Sequence, residues 1–441
     1  MTKPAPSSVN IYQEIYSWAK ELFPICRSLT GEGTRQTLRY FKRILPQMKI
    51  YEVPSGTKAF DWEVPPEWNI RDAYIKDQNG QKIVDFADHN LHLVGYSEPI
   101  DEVMSLERLQ EHLHSREDRP HAIPYVTSYY KRNWGFCLPH AQRENLKPGD
   151  YHVHIDSTLE PGSMTYGELI LKGREEREVL LSTYICHPSL GNDEISGPVV
   201  TAALARWLAA KTDRRLTYRI VFVPETIGSI VYLSRNLEEM KRNTDAGFVL
   251  TCVGDDRAYS FLPSRQGDTL ADRVARHALR HQVGEFNSYS FMDRGSDERQ
   301  YCSVGVDLPV ASLMRSKYHE YPEYHTSDDD LNLISPEGLG GAFELYRTVL
   351  LTLEHNKVYR TTVCCEPQLG KRGLYPTLST VEGGRGKRWL RVLRNILAYA
   401  DGTMDLIALA NRIEASATEC IPIIDRLLEE NLLEEISQPG L

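Results

Sequence analysis

Three apolar runs of strand length, Glu178–Cys186, Leu216–Pro224 and Ala246–Val253, are each followed by a stretch with helical spacing. The helical stretches are Pro198–Ala210, Gly228–Lys241 and Asp268–His281. The runs do not alternate apolar with polar residues, so they belong to strands buried on both faces. Strands joined by helices of this length pair in parallel. An earlier strand at Gly167–Lys172 and a closing helix at Pro336–His355 complete the pattern. The expected fold class is therefore α/β, a mostly parallel mixed sheet with helices on both faces.

The flanking segments have a different texture. Ile11, Ile15, Trp18 and Leu22 recur at helical spacing until Pro24, and Leu38, Phe41 and Leu45 do so until Pro46. From 47 to 150, short β-like runs are separated by turn signals, among them Asn79-Gly80, which marks a hairpin. This segment is expected to form a β-rich insert or lid with one helical stretch near Ser105–His114. After 366, helices are expected at Trp389–Ala400, Met404–Ile413 and Thr418–Asn431, with a short wing from Leu432 to Ile436. Helix, turn, helix and wing together predict a winged-helix module. The expected domains are thus 1–46 with 151–366 as the α/β domain, 47–150 as the insert, and 367–441 as the winged helix.

Bulk properties exclude some function classes. A formal net charge of −10 argues against broad binding to nucleic acid or anionic membranes, which requires a basic face. No apolar run is long enough to span a bilayer, and the first ten residues lack the pattern of a secretory signal. Eight cysteines, six scattered and two adjacent at Cys364–Cys365, with no CxxC pair, read as reduced thiols, so the expected location is cytoplasmic.

In an open α/β sheet, chemistry gathers at the carboxyl ends of the strands. One apolar strand here ends in His187 and continues through Asp193-Glu-Ile-Ser-Gly197. A second ends in Glu225, a third in Thr251 followed by Asp255-Asp256, and Tyr324-His325-Thr-Ser-Asp328 follows the apolar run at 310–313. Imidazole nitrogen and carboxylate oxygen are zinc ligands, and a catalytic zinc keeps one position open for water. His187, Asp193 and His325 supply such a set, and Glu225 is the candidate general base. Taken singly, each residue has a plainer role: a hydrogen-bonded strand-end imidazole, a helix cap, a favourable charge at a helix start, a turn. Arg315 and Arg299 are candidates for holding a substrate carboxylate, because a guanidinium matches it as a fork.

These motifs resemble the zinc aminopeptidase family that includes bacterial leucyl aminopeptidases and glutaminyl cyclases. Asp193-Glu-Ile-Ser-Gly197 is similar to that family's Asp-Asn-Ala-Ser-Gly, and Tyr324-His325-Thr-Ser-Asp328 to its Tyr-His-Thr-x-x-Asp. Gly295-Ser-Asp297 with Val304-Gly-Val-Asp-Leu-Pro309 is similar to its Ser-Asp-His and Gly-Ile-Pro stretches, and Glu225 with Gly228-Ser229 to its Glu-Glu-x-Gly and Gly-Ser segments. The whole chain resembles more closely a bacterial group of aminopeptidase-like proteins with a β-rich insert and a C-terminal winged helix, found among polysaccharide and natural-product biosynthesis proteins. The resemblance implies Asp193 and His325 as metal ligands and brings Asp297 and Tyr324, with Arg315, into the expected substrate-binding set.

The departures from the pattern are specific. His187 is followed by Pro188-Ser189, so the family's orienting Asp in His-x-Asp is missing. Thr226 stands where the family has a second Glu, and Thr251 where it has a fourth, Asp ligand. One zinc on His187, Asp193 and His325 is the simpler expectation; a second metal, with Asp255 or Asp256 as substitute ligand, is the alternative. The expected function is zinc-dependent hydrolysis of a peptide or amide bond in a peptide or small conjugate. A metal- or substrate-binding protein without turnover is the first alternative and a DNA-binding regulator the second. The segment Thr418–Glu430 carries one Arg against four acids, which suits docking or self-association better than reading bases.

Overall fold

The computed structural model describes residues 8–375 and 384–436. They divide into two compact units, 8–271 with Asn287–Phe343, and Asp272–Phe286 with 344–375 and 384–436.

The first unit is built on an eight-stranded sheet. Its order is Lys49–Pro54, Ser163–Leu171, Thr217–Val223, Glu178–Tyr184, Thr244–Val249, Val310–Met314, Ser260–Leu262 and Asn287–Ser288. The strand Glu178–Tyr184 lies between two parallel neighbours, with Leu181 opposite Ile220 on one side and Phe248 on the other. All residues of Glu178–Tyr184 and Thr217–Val223 are buried, which accounts for the lack of apolar–polar alternation along them. The flanking strands Lys49–Pro54, Ser163–Leu171 and Ser260–Leu262 pair antiparallel, so the sheet is mixed. Helices Ser8–Leu22 and Glu32–Ile44 pack with Ser196–Ala209, while Ile227–Asn243 packs with Glu298–Tyr301.

The β-rich segment folds on a four-stranded antiparallel sheet ordered Lys82–Asp85, Glu67–Lys76, Asp150–Glu160, Ile100–Ser105. Asn79-Gly80 forms the predicted hairpin turn: Gly80 takes a φ of 80°, and the Asp77 carboxylate accepts from the amides of Asn79 and Gln81. Trp68, Ile75 and Phe136 from this segment share one apolar core with Leu180, Val221 and Val249 of the large sheet. That common core places 47–150 and the large sheet in one compact unit. The helix expected at Ser105–His114 shrinks to Leu106–Gln110. Leu113 and His114 instead pair as a short parallel strand with Phe136 and Cys137, because Leu113 is drawn into the same core.

The second unit carries a three-stranded antiparallel sheet ordered Asp401–Asp405, Val358–Thr361, Leu433–Ile436. Helices Gly384–Tyr399, Leu406–Arg412 and Ala417–Glu429 accompany it, and the expected wing is the strand Leu433–Ile436. Ser416 and Glu419 close a reciprocal capping box at the start of the last long helix. The two nitrogens of His277 hold Asn411 Oδ1 at 2.8 Å and the Ala417 amide at 2.9 Å. Among the described residues, no helix is long and apolar enough to cross a membrane.

Candidate metal centre

The strand Glu178–Tyr184 delivers His187, and a single π-helical turn, Gly191–Ile195, presents Asp193 before the helix Ser196–Ala209 begins. The neighbouring strand Thr217–Val223 ends at Glu225, and His325 arrives on the loop after Val310–Met314. All four residues therefore meet at the carboxyl edge of the parallel strands, where the chain turns out of the sheet. Ser189, Thr226, Cys252 and His325, on or beside this edge, hold left-handed φ values of 45°, 63°, 51° and 55°. Each such conformation costs on the order of 1–3 kcal/mol in a non-glycine residue and persists only where the surroundings enforce it.

One ligand atom each from His187, Asp193 and His325 lie within 4.8 Å of one another. His325 Nε2 is 3.2 Å from Asp193 Oδ2, and His187 Nε2 is 3.8 Å from Glu225 Oε2. Asp193 Oδ1 accepts from Tyr184 Oη at 2.5 Å, whereas Oδ2 is buried and makes no aligned hydrogen bond. A buried carboxylate oxygen with no donor is unfavourable unless a cation completes it. Two imidazoles and a carboxylate, whose Oδ2 has only the poorly aligned His325 nitrogen near it, fit a zinc ion with a fourth position open.

Orientation of His187 comes from residues that sequence reasoning missed. Its Nδ1 is 3.1 Å from Glu194 Oε2, so Glu194 takes the place of the Asp that His-x-Asp would supply. Arg27, wholly buried, donates to the other Glu194 oxygen at 3.2 Å and to the His187 carbonyl at 3.0 Å. This is how metal-ligating histidines are usually aimed, with the far nitrogen tied to a carboxylate. Cys186 Sγ, His187 Nδ1 and Glu194 also lie close enough to hold an ion. Burial pushes the Cys186 thiol up to about 12, and the guanidinium already neutralises Glu194, so this group serves as support for the histidine. The signals were present in the sequence as a loop beginning at Arg27 and a second acid beside Asp193, but nothing linked them.

Asp193 is itself positioned from below. Its amide donates to Asp329 Oδ2 at 3.0 Å, and Tyr321 donates to the same oxygen at 2.9 Å. Thr251, at the place of the family's fourth ligand, donates to the Asp193 carbonyl at 3.0 Å. Thr226, at the place of the second Glu, accepts from Arg299 at 2.7 Å. Asp255 is taken up by Ser316 and the Arg257 amide, so its oxygens do not replace the missing carboxylate.

The electrostatics differ between the acids. Burial alone would raise Asp193, but His325, His187 and Tyr184 outweigh it and hold the carboxyl at about 2. Burial pushes Glu225 up to about 8, with Asp297 and Asp193 adding to the push and His187 opposing it. Burial likewise raises Asp297 to about 6, against hydrogen bonds from the Thr226 amide and Ser229 hydroxyl at 2.8 Å each.

Of the expected substrate-binding residues, two reach this edge. Tyr324 stacks on His325 with ring centroids 3.9 Å apart, and Asp297 braces the turn that carries Glu225. Arg315 does not join them: its buried guanidinium lies 3.8 Å from the centre of the Tyr259 ring, beside Gly341. Tyr125 of the β-rich segment, not foreseen, stands 5.0 Å from both imidazoles, and its amide donates to the His325 carbonyl at 2.8 Å.

Residues 16–356 match a family described as a domain of unknown function, DUF4910, and residues 357–435 match a winged helix-turn-helix family. A Clostridium acetobutylicum protein, provisionally named a polysaccharide biosynthesis protein with an aminopeptidase-like domain, is 46% identical over 363 residues. That match covers 82% of this chain and 83% of the relative. A crystal structure from Clostridium acetobutylicum, provisionally described as a peptidase, superposes with a TM-score of 0.90 at 40% identity, covering 97% of each chain. A zinc aminopeptidase from Bacillus subtilis gives a TM-score of 0.57 at 14% identity, covering 80% of this chain and 96% of that one, a likeness of fold alone.

Proposed function

The chain belongs to the DUF4910 family and ends in a winged helix, and on that premise we propose that it is a single-zinc hydrolase of amide or peptide bonds. The carrying observation is the convergence of His187, Asp193 and His325 beside a partly buried acid that is not part of their set, Glu225. The proposed substrate is a peptide or a small conjugate with an amide bond, in keeping with the relative named for polysaccharide biosynthesis.

His187, Asp193 and His325 would hold the ion, which supplies a Lewis acid and a water of lowered pKa, roughly 7. Glu225 then has the work of a general base: it accepts a proton from the attacking water and returns it to the leaving amine. In the metal-free chain burial raises its pKa to about 8, and a cation bound on His187 beside it would draw that value down towards the carboxylate form a base requires. Asp297 fixes the strained Thr226 turn, and so fixes where that proton is handled. Tyr125 and Tyr324 wall the imidazoles and exclude bulk water from the reacting bond. In this reading the winged helix serves self-association, with neither nucleic acid nor membrane as partner.

Thr226 and Thr251 favour one second reading, a protein that binds metal and ligand without turnover, because two carboxylates of the two-metal pattern are absent. Metal analysis of the full chain, paired with assays on aminoacyl amides and aminoacylated sugars, separates the two. The expected result is one zinc per chain, with Glu225→Gln retaining zinc and losing turnover. Zinc retained with no turnover on any amide by the native chain selects the second reading. Absence of bound metal defeats both.

A further inference from the structure

We propose that the β-rich segment carries a second ligand site, a groove that binds a neutral carbohydrate. The strand Asp150–Glu160 pairs with Ile100–Ser105 only as far as Ile155, so residues 156–160 run on past the edge of their neighbour. Beside this overhang lies a groove of about 480 Å³ whose lining includes Thr158, Leu159, Trp134, Arg132, Glu98 and Arg108. That volume falls within the usual range for small-molecule sites, and leaves room for a short saccharide.

Trp134 is held in a particular way. The His112 ring stacks on it, centroids 3.7 Å apart and planes 11° from parallel, and His112 Nδ1 lies 3.1 Å from the Trp134 carbonyl. One face of the indole is thus covered and the ring is fixed, while the residue still lines the groove. A fixed indole offers an electron-rich face to the electropositive C–H groups on one side of a sugar ring. Around it, charges come in pairs: Arg132 donates to Glu98 at 2.7 Å, and Arg108 lies 3.0 Å from Glu102. Each pair sets donors beside acceptors, which matches hydroxyl groups that both give and take hydrogen bonds.

The same charges discriminate among ligands. The lining holds Glu98, Glu102 and Glu160 against Arg108 and Arg132, so no positive charge is left over for a phosphate or a carboxylate. An apolar peptide would bury these ion pairs without replacing their water. A neutral glycan meets neither penalty. The inference is independent of turnover at the metal centre.

The test is calorimetric and fluorescence titration of the full-length chain with cellobiose, N,N′-diacetylchitobiose and mannobiose. At least one disaccharide is expected to bind saturably and to shift indole emission. Trp134→Ala should weaken it by about tenfold, the scale of one lost aromatic contact. Thr158→Arg, which fills the groove from a half-exposed strand position, should abolish it. Zinc content should be unchanged in both variants, and the melting temperature should be unchanged in Thr158→Arg. If Trp134→Ala fails to fold, Thr158→Arg decides alone. The proposal is overturned if none of the three sugars binds at millimolar concentration, if Thr158→Arg leaves binding intact, or if inorganic phosphate competes for the groove.

Discussion

The strand Glu178–Tyr184 has a buried polar cluster at each end, and the two are built on opposite terms. At its start, Arg219 donates to Glu178 at 2.8 Å and to Tyr232 at 2.8 Å, and Tyr232 donates to Glu168 at 2.6 Å. Thr244 adds a further donor to Glu178 at 2.9 Å. None of these side chains has a buried polar atom left without a partner. Past its other end, Asp193 Oδ2, Asp297 Oδ2 and Glu298 Oε2 are buried without hydrogen bonds, and Glu225 and Asp329 are pushed up to about 8 and 7. The first cluster is complete and holds the sheet together. The second has an excess of acceptors, the condition a cation relieves. Burial of charge at both ends is similar; completeness is what separates scaffold from site.

The comparison is most exposed to a change at the closed end. Arg219→Met leaves Glu178 charged and unpaired in the core, and is expected to cost about 3–5 kcal/mol in urea unfolding, with no recovery on adding zinc. If the variant unfolds like the native chain, the closed cluster is not a structural one. At the open end, His187→Ala and His325→Ala are each expected to stay folded while zinc affinity drops more than about a hundredfold. Competition with a chromogenic chelator measures this, and full occupancy in either variant removes that residue from the ligand set.

Glu194→Gln tests the middle ground, since it keeps shape but weakens the hold on His187. The expected loss in zinc affinity is about 10–100-fold, with secondary structure unchanged by circular dichroism. An effect as large as that of His187→Ala would make Glu194 a ligand rather than a support.

The same open end also predicts a pH dependence. The folded pKa of Glu225, about 8, lies above the roughly 4.3 of an unfolded glutamate, so the fold holds a proton that the unfolded chain releases between those values. The contribution of this group to the stability of the metal-free protein is therefore fully present below about 4.3 and is lost as pH rises towards 8. Glu225→Gln should flatten that decline. Thermal scans across this window check it, and a slope unchanged in the variant assigns the proton elsewhere.

Much of this was open to sequence reasoning because it depends on local pattern. Unbroken apolar runs alternating with helical spacing give a mixed sheet with parallel central strands, and the residues just past each strand end are the ones the sheet must bring together. His187 and Glu225 follow from that rule, and Asp193 and His325, further along their loops, join them through their zinc-ligand chemistry and the motifs they sit in. Tertiary structure alone decided which neighbours complete them. Arg27 reaches Glu194 across 167 positions, and Tyr125 reaches the imidazoles from the β-rich segment. Arg315, near His325 in the sequence, turns away to stack on Tyr259. The physical reason is that periodicity fixes which face of an element is buried, a property of a few consecutive residues. The partner that satisfies a buried polar atom is fixed by where distant loops pass, and local spacing carries no record of that.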